Sequence, residues 1–329
     1  MIDVMSRDTE TTRPAVPSRP AATCAPPSAG VLLPAPTPSF THRVDERDVL
    51  VTRWWRRSET EFSFDLDWSG DHCFFDAAPG AAHSEMLVAQ TIRQTGLLVA
   101  HAGLGITRSH EFLMDSMRYE THPHRPTAGR APGPMTATAV CVRSGRRTLD
   151  IGITVRHAGG VFLTSSSRFG WVSKDVYRRL RGAYAAARPA PAPAPEPPAL
   201  VGRRTESEVA LAPAGRPGRW LLRGDTGNPA LFDHAVDHVP GLVLAEAAHQ
   251  AAYAFVGDPA FCPVSTAVTA RQYVEFDAPC WIEAREVPTR RRGARAVEVV
   301  GVQRGRTTFS CVIEGVRSPA FGSGPVSGA

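Results

Sequence analysis

The chain has 329 residues, a length that suits two domains of ordinary size better than one. A composition of 43% hydrophobic and 21% charged residues excludes wholesale disorder, and no apolar run reaches membrane-spanning length. The net charge of +5 comes from 37 basic residues of which only Lys174 is a lysine, spread without a basic helix stripe or a helix-turn-helix signature, so no nucleic-acid partner is expected.

The first residues mix charge and proline and lack the apolar stretch of a secretory signal, which predicts a cytoplasmic protein. Eight of the 29 prolines fall between Pro14 and Pro38, and residues 1–39 read as a disordered Pro/Ala-rich arm. Six more lie between Pro189 and Pro198, and residues 187–199 read as a semi-rigid extended linker. Two folded segments remain, 40–186 and 200–329, the second with a short C-terminal tail.

In the first segment Asp48-Val49-Leu50-Val51 opens an alternating stretch, and Phe74-Phe75-Asp76 leads into a loop that holds His72 and His83. The run SEMLVAQTIRQTGLLVAHAG predicts a helix capped by Ser84, with Glu85 in its first turn. Strand-like stretches follow, FLMDSMRYE and then TATAVCVRSG through FGWV, with turns at Ser144-Gly145 and Ala158-Gly159-Gly160. The second segment repeats the order. Glu208-Val209-Ala210-Leu211 matches the opening stretch and Leu231-Phe232-Asp233 matches Phe74-Phe75-Asp76. A second helix, PGLVLAEAAHQAAYAFVG, is followed by strands in RQYVEFDAPCWIEAREV and RAVEVVGVQRGRTTFSCVIEGV. Asp76 to Gln90 spans 14 residues and Asp233 to Glu246 spans 13, with Gln94 and Gln250 each four residues further on. Six cysteines without C-x-x-C spacing point to free thiols rather than to a metal knuckle or a disulfide framework.

One buried helix followed by antiparallel strands, twice over, is an α+β plan: tandem hotdog repeats, each an antiparallel sheet wrapped around a central helix. The stretch from Asp233 to Gly241, followed by Glu246 and Gln250, resembles the helix start of hydroxyacyl carrier-protein dehydratases. The set HRVDERDVLVTRW, HCFFD, QTIRQTGLLVAHAGLG, FLMDSM, VYRRLRG, LFDHAVDHVPG and RQYVEFDAPCWIEA is similar to the tandem-hotdog A-factor biosynthesis family of γ-butyrolactone synthases. That resemblance implies an acyltransferase that moves a β-ketoacyl group from an acyl carrier protein thioester to the hydroxyl of dihydroxyacetone phosphate. The ester would be a precursor of a γ-butyrolactone-type signal controlling secondary metabolism. It implies no cofactor and no metal, and one chain acting as an intramolecular hotdog pseudo-dimer.

The residues suggest a division of labour. Glu246, a carboxylate among small packed residues, is costly without a job or a partner; it is the expected general base, against the plainer reading of a salt bridge to an arginine. His249, three residues on, would share its proton or orient it. His234 is an acid or substrate contact, or a loop cap; together with His238 it also suggests a metal pair, but no third ligand is evident. Gly241 allows close approach to the start of the second helix, Arg93 is placed to hold a phosphate, and Gln90 completes the expected substrate-binding set. Gln94 and Gln250 are expected to satisfy buried backbone groups.

Two positions depart from the family pattern: Gln90 stands where a glutamate is usual and His249 where an arginine is usual. Both keep other readings open, a dehydratase or thioesterase on acyl carrier substrates, or a degenerate acyl-binding regulatory paralogue. The arginine runs Arg178-Arg179-Arg181 and Arg290-Arg291-Arg292 are expected either to dock an acidic carrier protein or to be solvated faces.

Overall fold

The structure is a computed structural model that describes residues 30–68, 71–78, 81, 84–122, 135–157 and 160–318. Cys24, His83, residues 1–29 of the expected arm and most of the C-terminal tail lie outside the described residues. The first half runs β1 (Val31–Leu32), α1 (Pro38–Thr41), β2 (Val51–Arg56), β3 (Glu61–Leu66), α2 (Glu85–Leu98), β4 (His110–Thr121), β5 (Met135–Gly145), β6 (Thr148–His157), β7 (Gly160–Ser173) and α3 (Lys174–Arg181). The second runs β8 (Leu211–Arg216), β9 (Arg219–Leu222), α4 (Gly241–Val256), β10 (Phe261–Ala270), β11 (Cys280–Val287), β12 (Ala294–Gln303) and β13 (Arg306–Arg317).

The strands form one antiparallel sheet in the order β1-β2-β3-β5-β6-β7-β4-β10-β13-β12-β11-β9-β8. The order has a mirror at its centre. From that point outward, β4-β7-β6-β5-β3-β2 matches β10-β13-β12-β11-β9-β8, and the halves join where Tyr119 of β4 pairs with Thr266 of β10.

Both helices form where the apolar runs predicted them, for ordinary reasons. The Ser84 hydroxyl accepts from Leu87 N at the start of α2, and α4 ends at Gly257 with φ 66°, a left-handed position that glycine tolerates best. Each is buried nearly all round, as a helix inside a curved sheet must be. Four alanines of α4, Ala247, Ala248, Ala251 and Ala252, are fully buried, and their small size lets β11, β12 and β13 close onto the helix. The core of the first half is bulkier, with Trp54 stacked between Phe62 and Phe64 at 6.0 Å from each.

Two expectations are corrected. The arm is held from residue 30 onward, because Val31 and Leu32 pair with Arg56 and Trp55, and the Trp54 indole donates to the Pro34 carbonyl at 2.8 Å. Residues 271–279, expected to begin a strand, form a loop, and the strand before them, β10, was not foreseen. Its sequence FCPVSTAVTA is buried on both faces between β4 and β13, so it lacks the alternation that marks a half-exposed strand. The proline-rich linker, expected to be semi-rigid and extended, is anchored along its length, with Glu196 N donating to Leu211 O and Arg223 Nε to Pro193 O, both at 2.9 Å. Among the described residues no helix is long and apolar enough to cross a membrane.

Candidate active site

Gln94 and Gln250 register the two helices against their strands in the same way. Gln94 accepts from Leu50 N at 2.9 Å and donates to Asp48 O at 2.8 Å. Gln250 accepts from Ala210 N and donates to Glu208 O, both at 2.8 Å. Each amide is spent on backbone that would otherwise be buried unpaired. One helical turn earlier, Gln90 and Glu246 therefore stand at equivalent places.

Gln90 opens onto a cavity of about 2400 Å³ between the halves. The lining is apolar at Leu97, Phe112, Met114, Met117 and Phe169, and polar at His42, Arg43, Gln90, Arg93, Asp233 and His234. Gly241, at the start of α4, lies in the same wall. The Gln90 side chain is fully buried, and among the described residues neither its amide oxygen nor its nitrogen has a hydrogen-bond partner. Leaving such a group unsatisfied costs about 1–3 kcal/mol, and this one belongs to a residue that borders the cavity.

Arg93 is the second unusual group. Its guanidinium donates to the Thr41 carbonyl at 3.1 Å and the His42 carbonyl at 3.4 Å. Among the described residues no carboxylate lies at ion-pair distance, and burial pulls its pKa down to about 10 against the pull of Asp233. Arg43 is paired instead through Nη2, bonded to Asp48 at 2.6 Å and to the Pro229 carbonyl at 3.1 Å, with its Nε 3.6 Å from Asp233. Asp233 in turn holds His234 Nδ1 at 2.7 Å. Burial pushes the Asp233 carboxyl up, but the bond from His234 and the charges of Arg43 and Arg93 outweigh it and hold it below the ordinary range.

The cavity thus joins an apolar wall to a polar one that carries a cationic guanidinium. The A-factor biosynthesis hotdog domain matches residues 32–168 and again 184–312. The chain belongs to this family. A relative from Streptomyces virginiae named 2-oxo-3-(phosphooxy)propyl 3-oxoalkanoate synthase is 38% identical over 289 residues, 85% of this chain and 97% of that protein. A relative of the same name from Streptomyces coelicolor is 34% identical over 296 residues, 88% of this chain and 93% of that protein. Among solved structures the 12:0-ACP thioesterase from Umbellularia californica is similar with a TM-score of 0.49 and 11% identity, covering 78% of this chain and 97% of that one.

Within this A-factor-type hotdog pair, Glu246 and His249 are not in the large cavity. The Glu246 carboxylate is buried under Arg203, whose Nε donates to it at 2.7 Å, and Gln250 adds a bond at 2.6 Å. The general-base expectation for Glu246 thus meets the salt bridge weighed against it. The His249 ring turns away from Glu246 to Tyr119 at 3.0 Å and Thr266 at 3.3 Å, with Glu85 at 3.7 Å. Tyr119 spends its one O–H on Glu85 at 2.6 Å, so the imidazole donates to it. Only about 20 Å³ is left beside this cluster.

His234 and His238 do not converge on a metal; each is bonded through Nδ1 to the aspartate before it, at 2.7 Å. Among the described residues no group of three or more potential ligands gathers. His72 bonds the Trp68 carbonyl at 3.1 Å and is absent from the cavity lining.

Arg181, expected on a docking face, is buried. It grips both oxygens of Glu275 at 2.7 Å and reaches Asp237 through Nε at 2.9 Å, so α3 of the first half fastens the loop that carries Asp233 and His234. Arg178 and Arg179 are exposed, and Arg178 stands in the cavity lining. Arg291 pairs with Glu314 and Glu120.

Residue reading missed His42, Arg43, Asp233 and Arg181 as parts of this site. Their only signal was membership in the motifs HRVDERD, LFDHAVDHVPG and VYRRLRG. No periodicity marks a side chain that reaches a cavity from a loop.

Proposed function

We propose that the chain is an acyltransferase that moves a 3-oxoacyl group from a thioester, carried on an acyl carrier protein, to the hydroxyl of dihydroxyacetone phosphate. The observation that carries this reading is the pairing on α2 of an unpartnered buried amide with a half-buried arginine whose hydrogen bonds go only to carbonyls. The names of the relatives supply the same two chemical classes, a phosphooxypropyl group and a 3-oxoalkanoate.

Gln90 and Arg93 are three residues apart on one helix face, where Cβ atoms lie about 5–6 Å apart. A three-carbon acceptor bridges them, its phosphate on Arg93 and its hydroxyl beside a thioester carbonyl held by the Gln90 amide N–H. As the hydroxyl adds, that N–H stabilises the developing oxyanion in a site that needs no reorganisation. The backbone start of α4 at Gly241 supports the same charge. His234, oriented by Asp233, supplies the proton that the departing thiolate needs. Such a transfer requires only a polarised carbonyl, a base and an acid. The acyl chain lies along Leu97, Phe112, Met114 and Phe169, and Arg178 and Arg179 attract the acidic carrier. The two repeats act together as an intramolecular pseudo-dimer in the cytoplasm, one helix from each bordering the site.

Incubating the purified chain with 3-oxoacyl carrier-protein thioesters of several lengths and dihydroxyacetone phosphate, and weighing the products by mass spectrometry, tests this. The phosphorylated ester is expected. A folded protein that returns only free acid, or only starting material, at every chain length sinks the transferase reading; free acid alone makes it a thioesterase.

A further inference from the structure

Acyl transfer in this cavity needs a group to take the proton of the attacking hydroxyl, and Glu246 is occupied by Arg203. His42 has the geometry for it. It ends α1 at φ 51° and ψ 50°, and with Arg304 it is one of two non-glycine residues at positive φ among the described residues. A left-handed backbone at such a residue persists only when its surroundings impose it. Here Arg93 holds the His42 carbonyl at 3.4 Å, and the ring stands edge-on to Phe112 at 5.9 Å.

A second imidazole fixes the proton on that ring. His101 Nδ1 lies 2.7 Å from the Ile106 carbonyl, which can only accept, so Nδ1 carries the hydrogen. Burial, with help from Arg108 and His110, lowers the His101 pKa and keeps it neutral, leaving its Nε2 as an acceptor. His42 Nε2, 2.8 Å away, must then donate. The lone pair of His42 sits on Nδ1, on a ring that lines the cavity.

We propose, building on the acyl-transfer reading, that His42 is the general base of this cavity and that an anion seated on Arg93 switches it on. The charged groups that face His42 are Arg93 from α2, His101 from the π-helical turn Val99–Gly103 that follows α2, and Asp233 and His234 from the loop before α4; β4 contributes the apolar Phe112. Burial first, then Arg93, His101 and His234, push the His42 pKa down to about 3, against Asp233. With the cavity empty the ring is a poor base. A phosphate monoester on Arg93 neutralises the largest of the opposing charges and adds a negative one, which raises the ring's affinity for a proton against the burial that remains. The hydroxyl oxygen then bonds to the thioester carbonyl carbon as its proton passes to His42 Nδ1. The C–S bond breaks and the thiolate takes a proton from His234. Afterwards His42 releases its proton to solvent and His234 regains one, so one proton moves net from alcohol to thiol. The gate spares the thioester from attack by water until the phosphorylated acceptor arrives.

Two measurements test this, one of them independent of turnover. The His42 ring resonance, assigned against His42→Gln, is followed from about pH 5 to 8 with and without inorganic phosphate. It should stay flat without phosphate and titrate within that range with it, and Arg93→Gln should abolish the change. A resonance indifferent to phosphate overturns the switch. In the transfer assay, unphosphorylated dihydroxyacetone is offered with and without inorganic phosphite. Phosphite should accelerate the wild type about tenfold or more and leave His42→Gln unmoved, and His42→Gln should lower transfer to dihydroxyacetone phosphate by about 10²–10⁴-fold. Phosphate binding by that variant, read by calorimetry, should stay within a few fold, which separates loss of the base from loss of the fold. His101→Phe, a positioning change, should alter the pH profile of kcat with little effect on KM. A folded His42→Gln protein with wild-type transfer overturns the base assignment. A chain that makes no ester while its His42 still answers to phosphate overturns the acyl-transfer reading and keeps the anion-gated histidine.

Discussion

Gln90 with Arg93 on α2 and Glu246 with His249 on α4 occupy matching turns of matching helices, and they end in opposite states. The first pair borders about 2400 Å³ of open cavity, and the second leaves about 20 Å³. The two halves even bring an arginine to each from the corresponding loop, Arg43 after His42 and Arg203 after Gly202. Where the helix offers a carboxylate, the arginine turns onto it and the site seals. Where the helix offers a neutral amide, the arginine stays on Asp48 and leans toward Asp233, and the amide is left for a ligand. A glutamine at one place and a glutamate at the other thus go with an open cavity and a closed ion-pair clamp.

The largest effect should come from breaking the clamp. Glu246→Ala leaves Arg203 buried and unpaired, which costs about 3–5 kcal/mol and should show as a large fall in Tm. The protein that remains folded should transfer acyl groups at near the wild-type rate per molecule. A folded Glu246→Ala enzyme without activity would return Glu246 to the reaction. Gln90→Leu should do the reverse. Removing an amide that has no partner should leave stability unchanged or raise it by about 1 kcal/mol, while transfer falls about 10²–10³-fold through loss of the oxyanion contact. Gln94→Leu, one turn on, is the control: it strips Leu50 N and Asp48 O of their partner and should cost about 1–3 kcal/mol. Urea unfolding and product formation on the same three proteins tell these apart. Smaller again, Arg93→Ala should raise the KM for dihydroxyacetone phosphate by about 10–100-fold and leave that for the thioester little changed, as expected from losing one charge-assisted contact of about 1.5–3 kcal/mol.

The fold was legible in the sequence because its signals are local. Apolar runs with Ser84 and Gly257 at their ends mark the helices, alternation marks the outer strands, and the four-residue step from Gln90 to Gln94 repeats from Glu246 to Gln250. β10 escaped because a strand buried on both faces has no alternation to read. The site was legible only in part, for a physical reason. Arg93, Gln90 and Gly241 lie on helices that their apolar runs reveal, His234 was legible only through its motif, and all four border the cavity. Whether Glu246 is bound up depends on where Arg203 points, and Arg203 lies 43 residues away in sequence. His42 depends on a bond to a ring 59 residues on. Arg181 looked like surface charge because its neighbours Arg178 and Arg179 are, while its acids, Asp237 and Glu275, come from the other half.

The smallest effect is a pH dependence that again separates the two sites. His42 has an ordinary value of 6.5 and about 3 in the folded cavity. Between those two values the unfolded chain binds a proton that the folded chain refuses, so stability rises with pH across that window and is lost on acidification from about pH 6.5 downward. The slope from one such group is at most about 1.4 kcal/mol per pH unit. His101 and His238, also lowered by burial, act in the same sense, while the lowered carboxyls of Asp233 and Asp237 lose their stabilising effect only at lower pH, near and below the ordinary 3.8. Subtracting the urea midpoints of His42→Phe from those of the wild type between about pH 7 and 5 removes these shared contributions and leaves the slope of His42 alone. Saturating phosphate should flatten that slope, because raising the folded value narrows the window from below. The same subtraction for His249→Phe should show no response to phosphate, since the sealed site has no room for the anion. A phosphate response at His249, or none at His42, would mean that the two sites differ in shape without differing in what they bind.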